Sequence, residues 1–363
     1  MNSSLNQHQA HQIDQLRGLA VLSVMAAHSP MLLGISIPFF SAHGGQIGVQ
    51  LFFVLSGYLI SESASRHPLL NYAIYRVFRI FPAYWFAYLL IGFLGQRFTW
   101  TAVQERPYFF ILNLLNLQQL SAPALFNFNA LGAVSWTLTI EILWYVLAPV
   151  LIWISIKKNL NPLIRMHLPV ITMILISIAW VWLFQNGNLD SWADVHVAKV
   201  QGPPNPAYKL MVVNAAFPAQ LANFAYGISI FFWREKFQHI PSILLKIIAF
   251  VLIAGLPFYK NQFIWWQIFS GIGITSLFML AIRFPIVKIP SLSWIGKISY
   301  SLYLLHVALF FSLEEIFRHI GPWHVAITIA LTVFSATLLH YGIELPGMRF
   351  SRYLTAKTPI KKL

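Results

Sequence analysis

The chain alternates between long apolar stretches and short polar segments. A helix needs about 20 residues to cross a hydrocarbon core of about 30 Å, since each residue adds about 1.5 Å. Two of the stretches, 47–63 and 81–96, are short, and we expect them to extend into their flanks. In all, ten stretches predict transmembrane helices, at 14–36, 47–63, 81–96, 134–156, 167–185, 209–233, 243–259, 263–282, 297–317 and 323–343.

One further apolar stretch, 108–120, is too short to cross the membrane. We interpret it as a re-entrant or interfacial helix. If it did cross, the orientation of every later helix would be reversed.

The positions of lysine and arginine predict the orientation of the helices. With the N-terminus in the cytoplasm, 18 of these residues lie in inner segments and 6 lie outside. Cytoplasmic segments of membrane proteins carry such an excess of positive charge. The pattern predicts an all-α polytopic membrane protein of about ten transmembrane helices with both termini cytoplasmic. We divide it into a polar N-terminal leader (1–12), a transmembrane domain (13–346) and a basic cytoplasmic tail (347–363).

The composition agrees with a membrane protein and excludes other classes. The 363 residues are 58% hydrophobic and only 9% charged, whereas soluble domains carry about 25% charged residues. There is no cysteine, which excludes disulfides and thiolate metal sites. The net charge of +14 is spread between the apolar segments, so orientation in the lipid bilayer explains it. We therefore expect no nucleic-acid partner.

Ionisable side chains at membrane depth are costly to bury and are therefore functional candidates. Arg17 and His28 lie eleven residues apart on the first helix, close to three whole turns, so they share a face about 16 Å long. Glu141 lies about 10 Å deep in the fourth helix, so His28 and Glu141 could meet at similar height. The alternative is structural: a buried imidazole hydrogen-bonded to a neighbouring backbone group or hydroxyl, a carboxylate that ties two helices, and an i,i+3 ion pair between Asp14 and Arg17.

A second group of candidates lies in an inner segment, where Arg76 and Arg79 share a helical face. Arginine forks suit the recognition of phosphate. The general excess of positive charge on the inner side explains the two arginines as well. The nearby tyrosines, including Tyr84, also fit an aromatic belt at the membrane interface.

Polar residues near the C-terminus have a simpler explanation. Tyr300, Tyr303 and His306 step by three residues along one helix, and His340 and Glu344 lie one turn apart. Hydrogen bonding between helices or at the interface explains all five. The chain has no nucleotide-binding glycine motif, no His-Glu-x-x-His and no Gly-x-Ser-x-Gly. Nothing in the sequence predicts a bound metal.

Six segments nevertheless form a recognisable series along nearly the whole chain. They are Ile13–Ala20 with His28 downstream, Gly48–Ile60, Arg76–Tyr84, Ser135–Glu141, Ile295–His306 and Ile343–Pro346. Each is weak alone, and six in order are specific. Together they resemble the acyltransferase-3 family, membrane-bound O-acyltransferases of surface glycans.

The resemblance implies an enzyme that moves an acyl group, usually acetyl, from cytoplasmic acyl-CoA to a sugar hydroxyl at the outer face. It implies Arg17 and His28 as the functional pair of the first helix, and Glu141 as the acidic position. It also implies Arg76 and Arg79 as the paired arginines. The motif residues that would support the site are Asp14, Tyr84, Ser135, Trp136, Tyr303 and His306.

These implications combine into one hypothetical mechanism. Arg76 and Arg79 would bind the phosphates of acetyl-CoA, and His28 would take the proton of the sugar hydroxyl. Glu141 would orient or stabilise the imidazolium, and Arg17 would stabilise the thioester oxyanion or bind CoA. Direct transfer and a transient acyl-enzyme both remain open.

The resemblance also implies the bacterial inner membrane and a carbohydrate acceptor, either an envelope or exported polysaccharide or a glycolipid. Many relatives carry a second, soluble esterase-like domain, whereas this chain ends 20 residues after its last predicted helix. We therefore expect no fused esterase-like domain and allow for a separate soluble partner. Two other functions stay open: a transporter or flippase of a lipid-linked sugar, and a regulatory member of a glycan-synthesis complex. The acceptor hydroxyl, and acetyl against succinyl, are also open.

Overall fold

The computed structural model describes residues 7–95, 98–120, 128, 130–156, 161–197, 206–259, 263–284, 287–321 and 323–356. All regular secondary structure in these ranges is helical, which confirms the predicted all-α class. The α-helices described are Gln7–Leu33, Phe40–Arg66, Leu69–Leu89, Trp100–Glu105, Pro107–Leu114, Ser135–Ile156, Pro162–Gln185, Asp190–Val197, Pro206–Asn214, Phe217–Phe237, Ser242–Ala254, Phe263–Arg283, Pro290–Lys297, Ser299–Phe317, Trp323–Leu339 and Leu345–Thr355.

Seven helices in the described ranges are long and apolar enough to cross a membrane, which confirms a polytopic membrane protein. The two short predictions extend as expected, 47–63 to Phe40–Arg66 and 81–96 to Leu69–Phe93. The cytoplasmic position of both termini stays a prediction. The seven helices are Gln9–Leu33, Phe40–Arg66, Leu69–Phe93, Ser135–Ser155, Ile164–Gln185, Ser299–Ile320 and Trp323–Thr355.

The other three predicted spans take a different form. Two separate helices, Pro206–Asn214 and Phe217–Phe237, occupy the predicted span 209–233. Shorter apolar helices, Ser242–Phe258 and Gln267–Arg283, occupy the other two. The count of ten spans therefore stays a prediction.

The stretch 108–120 forms a short helix, Pro107–Leu114, followed by the 3₁₀ turn Gln118–Leu120. Eight residues of α-helix cover about 12 Å. The segment is thus too short to span, as predicted, and its interfacial position stays a prediction.

Two helices continue through a π-helical turn. Leu90–Leu94 follows Leu69–Leu89, and His340–Glu344 joins Trp323–Leu339 to Leu345–Thr355. A π turn holds one residue more than an α turn and is frequent at functional sites. The second π turn contains two of the polar residues considered above.

The chain folds as two compact units, each built from three stretches. The first comprises Met1–Ser65, Ala148–Ile178 and Leu221–Tyr300, and the second comprises Arg66–Leu147, Ala179–Gln220 and Ser301–Leu363.

In the first unit, the helix Gln7–Leu33 packs closely on the helix Pro290–Lys297. A side chain at Gly296 would collide with the backbone of Asp14, and one at Gly18 would collide with the backbone of Leu292. Glycine at these two positions therefore lets the two helices approach each other closely beside Asp14.

In the second unit, the helix Leu345–Thr355 packs on the helix Leu69–Leu89. The hydroxyl oxygens of Thr355 and Tyr75 are 2.6 Å apart. The rings of Phe78 and Phe350 meet edge to face, with centroids 5.5 Å apart. This packing fixes the position of the helix that carries Arg76 and Arg79.

Candidate functional site

The first helix carries Asp14 and Arg17 as an ion pair. Arg17 Nη1 lies 3.8 Å from Asp14 Oδ1, and the two side chains are 30% and 20% exposed. The i,i+3 pair considered above is confirmed. A pair at this distance and exposure contributes at most about 1 kcal/mol, because water screens it. It orients Arg17 without burying its charge against a fixed counter-ion.

The helix end near His28 is shaped by Pro30. A proline has no N–H, so the carbonyl of Ala26 loses its helical partner. The hydroxyls of Ser29 and Ser41 donate to that carbonyl at 2.9 and 3.3 Å. The helix Gln7–Leu33 therefore continues past His28 despite the proline.

His28 itself is half-buried, and its imidazole hydrogen bonds to the backbone of Val24, one turn earlier. This is the contact expected under the structural alternative. A neutral imidazole that donates through one nitrogen keeps its lone pair on the other. The local geometry is therefore compatible with a general base as well.

The second unit holds a buried carboxylate with three partners. The side chain of Glu344 is 0% exposed, and its Oε1 lies 2.7 Å from Arg79 Nη1. Its Oε2 accepts hydrogen bonds from Ser301 Oγ at 2.8 Å and from His340 Nδ1 at 2.9 Å. Arg79 Nη1 also lies 2.9 Å from Met348 Sδ. A buried carboxylate needs such partners because its desolvation is expensive.

Arg76, one turn before Arg79, is held by aromatic rings. Its Cζ lies 5.6 Å from the ring centre of Tyr72 and 5.5 Å from that of Tyr145, both within cation–π range. The hydroxyl of Tyr145 donates to Glu141 Oε1 at 2.9 Å. The hydroxyl of Tyr72 donates to the carbonyl of Tyr145 at 2.9 Å. Tyr145 thus links Arg76 to Glu141 inside one unit.

Tyr303 and His306 make two different kinds of hydrogen bond. The hydroxyl oxygens of Tyr303 and Thr137 are 2.8 Å apart, which is a bond between helices as expected. His306 is fully buried, and its Nδ1 lies 2.8 Å from the carbonyl of Tyr303 within the same helix. Thr137 precedes Glu141 by one turn, so the bond with Tyr303 ties the helix of Glu141 to the helix Ser299–Phe317.

The remaining supporting candidates make local contacts. Tyr84 is buried and donates to the carbonyl of Asn113 at 2.5 Å, so it packs inside its unit instead of facing a membrane surface. Ser135 Oγ donates to the carbonyl of Gly132 at 3.1 Å, at the start of its helix. Trp136 is half-buried beside it.

The predicted residues divide between the two compact units. The residues of the first helix belong to the first unit, and the others belong to the second. The predicted meeting of His28 with Glu141 joins residues of different units and stays a prediction. Across the described ranges, no cluster of three or more histidine, aspartate or glutamate side chains could hold a metal ion.

Sequence reasoning missed the ion pair of Glu344 with Arg79 and the part played by Ser301. Both signals were present, because Glu344 lies in the last motif and Ser301 lies two residues before Tyr303 in the fifth. His340 and Glu344, which the sequence places one turn apart, bond to each other. The partner of Arg79 follows only from the packing of two helices far apart in sequence.

Two known proteins are similar to the chain over different lengths. A peptidoglycan O-acetyltransferase of Listeria monocytogenes is 25% identical over an alignment of 364 residues. The alignment covers 92% of this chain and 55% of the relative. An O-acetyl transferase of Shigella phage Sf6 is 30% identical over 159 residues, 39% of this chain and 46% of the relative. The chain matches about half the length of each. No solved structure matches it significantly.

The family comparison covers most of the chain. The family model described as "Acyltransferase domain" matches residues 10–341. That range contains Arg17, His28, Arg76, Arg79 and Glu141, and ends within the π turn before Glu344. The chain therefore belongs to the acyltransferase-3 family.

Proposed function

We propose that this protein is a membrane O-acetyltransferase. It transfers an acetyl group from cytoplasmic acetyl-CoA to a hydroxyl of an envelope or exported polysaccharide or glycolipid. The observation that carries the proposal is the family match over residues 10–341. The names of both relatives support acetyl as the acyl group and oxygen as the acceptor atom.

The proposed location is the bacterial inner membrane. A donor made in the cytoplasm and an acceptor at the outer face require a protein that spans the bilayer. The seven long apolar helices support this location. A separate soluble partner is proposed to complete transfer where the acceptor lies away from the membrane.

His28 is the proposed general base. The sugar oxygen attacks the thioester carbonyl carbon while the imidazole takes the hydroxyl proton. The C–S bond then breaks, and the departing CoA sulfur takes the proton from the imidazolium. The products are the sugar ester and CoA thiol, so no further reactant is needed. The bond to Val24 supports this role because it fixes the ring and its tautomer.

Arg17 is proposed to stabilise the oxyanion that forms on the thioester carbonyl. Its place in the first motif supports this role, and the contact with Asp14 at 3.8 Å orients its guanidinium on the helix. Asp14 then acts as a positioning residue for Arg17.

The arginines of the second unit are proposed to bind the phosphates of the donor. Arg76 is the proposed main phosphate ligand, because its two ring contacts orient a guanidinium whose N–H donors match phosphate oxygens. Arg79 is anchored on Glu344 and adds a fixed positive charge to the same helical face. Glu141 is proposed to stabilise the imidazolium, with Tyr145 as its positioning residue.

The test uses membranes that contain the protein, labelled acetyl-CoA and the glycan fraction of the host. We expect label in alkali-labile ester on the glycan, reduced about 100-fold or more in His28→Ala, which is typical of the loss of a general base. His11→Ala, on the same helix, is the matched control and should keep full transfer.

Each outcome bears on a separate part of the proposal. Equal labelling by His28→Ala would remove the base assignment and leave the enzyme. Absence of transfer together with absence of CoA binding would overturn the proposed function in favour of a transporter.

A further inference from the structure

The first unit contains a cavity that the proposed reaction does not use. Its volume is about 310 Å³, within the range of about 300–1,000 Å³ of small-molecule sites. All of its lining residues belong to this one unit. They come from the start of the helix Gln7–Leu33, from the C-terminal half of Phe40–Arg66, and from the C-terminal ends of Phe217–Phe237 and Phe263–Arg283 with the residues that follow them.

The lining carries two guanidinium groups, Arg234 and Arg283, and no acidic side chain. Arg234 is half-buried and follows a kink at Trp233, where the backbone leaves helical geometry. A cavity with two cations and no carboxylate attracts an anion, and arginine forks match phosphate.

The fixed dipoles around the cavity do not cancel this attraction. Carbonyl groups at helix C-termini repel anions. Arg283 Nη1 donates to the carbonyl of Phe237, the last residue of its helix, at 3.4 Å, and to that of Ile240 in the following turn at 2.6 Å. A guanidinium has five N–H donors, so Nε and Nη2 of Arg283 can still reach a ligand. Arg234 then supplies a further full positive charge.

Aromatic rings and an amide complete the lining. Tyr58, Phe237 and Phe284 offer ring surfaces, and Gln238 offers both a donor and an acceptor. Arg283 Cζ lies 5.1 Å from the ring centre of Phe284. Inorganic phosphate would use only the cations, whereas a planar base stacks on rings and hydrogen bonds to amides.

We propose that this cavity binds a phosphorylated nucleotide. Its phosphate lies between Arg234 and Arg283, and its base lies against the rings of Phe237 and Phe284. The site is additional to the donor site proposed on Arg76 and stands whether or not acetyl-CoA is the acyl donor.

The test measures equilibrium binding of radiolabelled ADP to the purified full-length protein in neutral detergent. We expect saturable binding at micromolar concentration. Inorganic phosphate and adenosine should each compete at least about tenfold more weakly, because each makes only part of the contacts. Arg234→Gln should weaken ADP binding about tenfold or more, through the loss of a charged donor.

Lys236→Gln is the matched control, since it removes one positive charge from the same last turn at an exposed position outside the cavity lining. It should bind ADP normally. Phe284→Leu provides a second test that keeps both cations. It should weaken the binding of ADP and leave the affinity of the cavity for inorganic phosphate, derived from competition, unchanged.

Several results would overturn the proposal. Unchanged ADP binding in both Arg234→Gln and Phe284→Leu would remove the site. Competition by inorganic phosphate with the same affinity as unlabelled ADP would reduce the cavity to a simple anion site. Displacement of labelled ADP by phosphatidylglycerol vesicles, but not by phosphate or adenosine, would assign the cavity to a lipid headgroup. Loss of ADP binding in Arg76→Ala, with Arg234→Gln normal, would move the nucleotide to the donor site. Acetyl transfer is scored separately, so failure of either proposal is distinguishable from failure of the other.

Discussion

The two arginine–carboxylate pairs at motif positions differ in their access to water. Arg17 and Asp14 lie 3.8 Å apart with both side chains partly exposed, whereas Arg79 and Glu344 lie 2.7 Å apart with the carboxylate fully buried. Charges 4 Å apart attract by about 1 kcal/mol in water and by several times more near a protein interior. Water therefore screens the first pair, whereas the second pair fixes its arginine within the structure.

Glu344→Ala should have the largest effect on stability. Removal of one partner of a buried ion pair costs about 3–5 kcal/mol, because Arg79 is left without its counter-charge. Ser301 and His340 lose their acceptor as well. Thermal and denaturant unfolding in detergent measure this cost.

Glu314→Ala is the control for that experiment. Glu314 pairs with Arg318, which is 72% exposed, so its loss should leave stability nearly unchanged, because water screens the pair. Equal destabilisation by the two variants would contradict the distinction between buried and exposed pairs.

Arg76→Ala should separate ligand binding from structure within the second unit. We expect KM for acetyl-CoA to rise about tenfold, because a phosphate ligand is lost, and thermal stability to fall less than in Glu344→Ala, because the buried pair of Arg79 with Glu344 stays intact. Arg79→Ala should instead lose stability, as Glu344→Ala does. Steady-state kinetics and unfolding of both variants measure the contrast. Arg352→Ala, an exposed arginine of the last helix, should change neither quantity.

Tyr145→Phe should have an intermediate effect. It removes the hydroxyl that donates to Glu141 at 2.9 Å and keeps the ring that contacts Arg76. A hydrogen bond to a charged group contributes about 1.5–3 kcal/mol, and part of that cost is recovered by water. We expect kcat to fall about three- to tenfold with KM for acetyl-CoA unchanged. A rise in KM alone would show that Tyr145 acts through Arg76 and not through Glu141. Tyr341→Phe, at a half-exposed tyrosine, is the control.

Asp14→Asn should have the smallest effect on stability. We expect a loss of less than about 1 kcal/mol, and 1 M salt should reduce it further by screening. Unfolding at low and high salt measures it. A loss as large as that of Glu344→Ala, independent of salt, would erase the difference between the two pairs.

The sequence was sufficient for features that depend on one helix. Long apolar runs predicted all seven membrane-length helices of the described ranges, and the i,i+3 spacing predicted the contact of Asp14 with Arg17. The predicted span 209–233 did not form one helix, although Pro218 was visible. A proline interrupts the helix that precedes it. The run 209–233 is apolar on both sides of Pro218, so its hydrophobic pattern did not indicate that interruption.

Contacts between helices could not be predicted in the same way. The pairing of Arg79 with Glu344 requires the helix Leu345–Thr355 to lie against the helix Leu69–Leu89. No local pattern specifies that neighbour. Tyr145 was overlooked for a similar reason, since its ring meets Arg76 only after two helices pack.

The π turn His340–Glu344 sets which face the last helix presents to the helix Leu69–Leu89. A π turn holds one residue more than an α turn. The same sequence wound as one continuous α-helix would therefore place every residue from Leu345 onward about 100° further around the axis. The face that packs beside Arg79 would then turn away with no change in its own side chains. Deletion of one residue, such as Gly342, should instead restore a continuous α-helix that keeps this face, whereas replacement of Gly342, where an added side chain meets nothing within 4 Å, should leave the π turn in place.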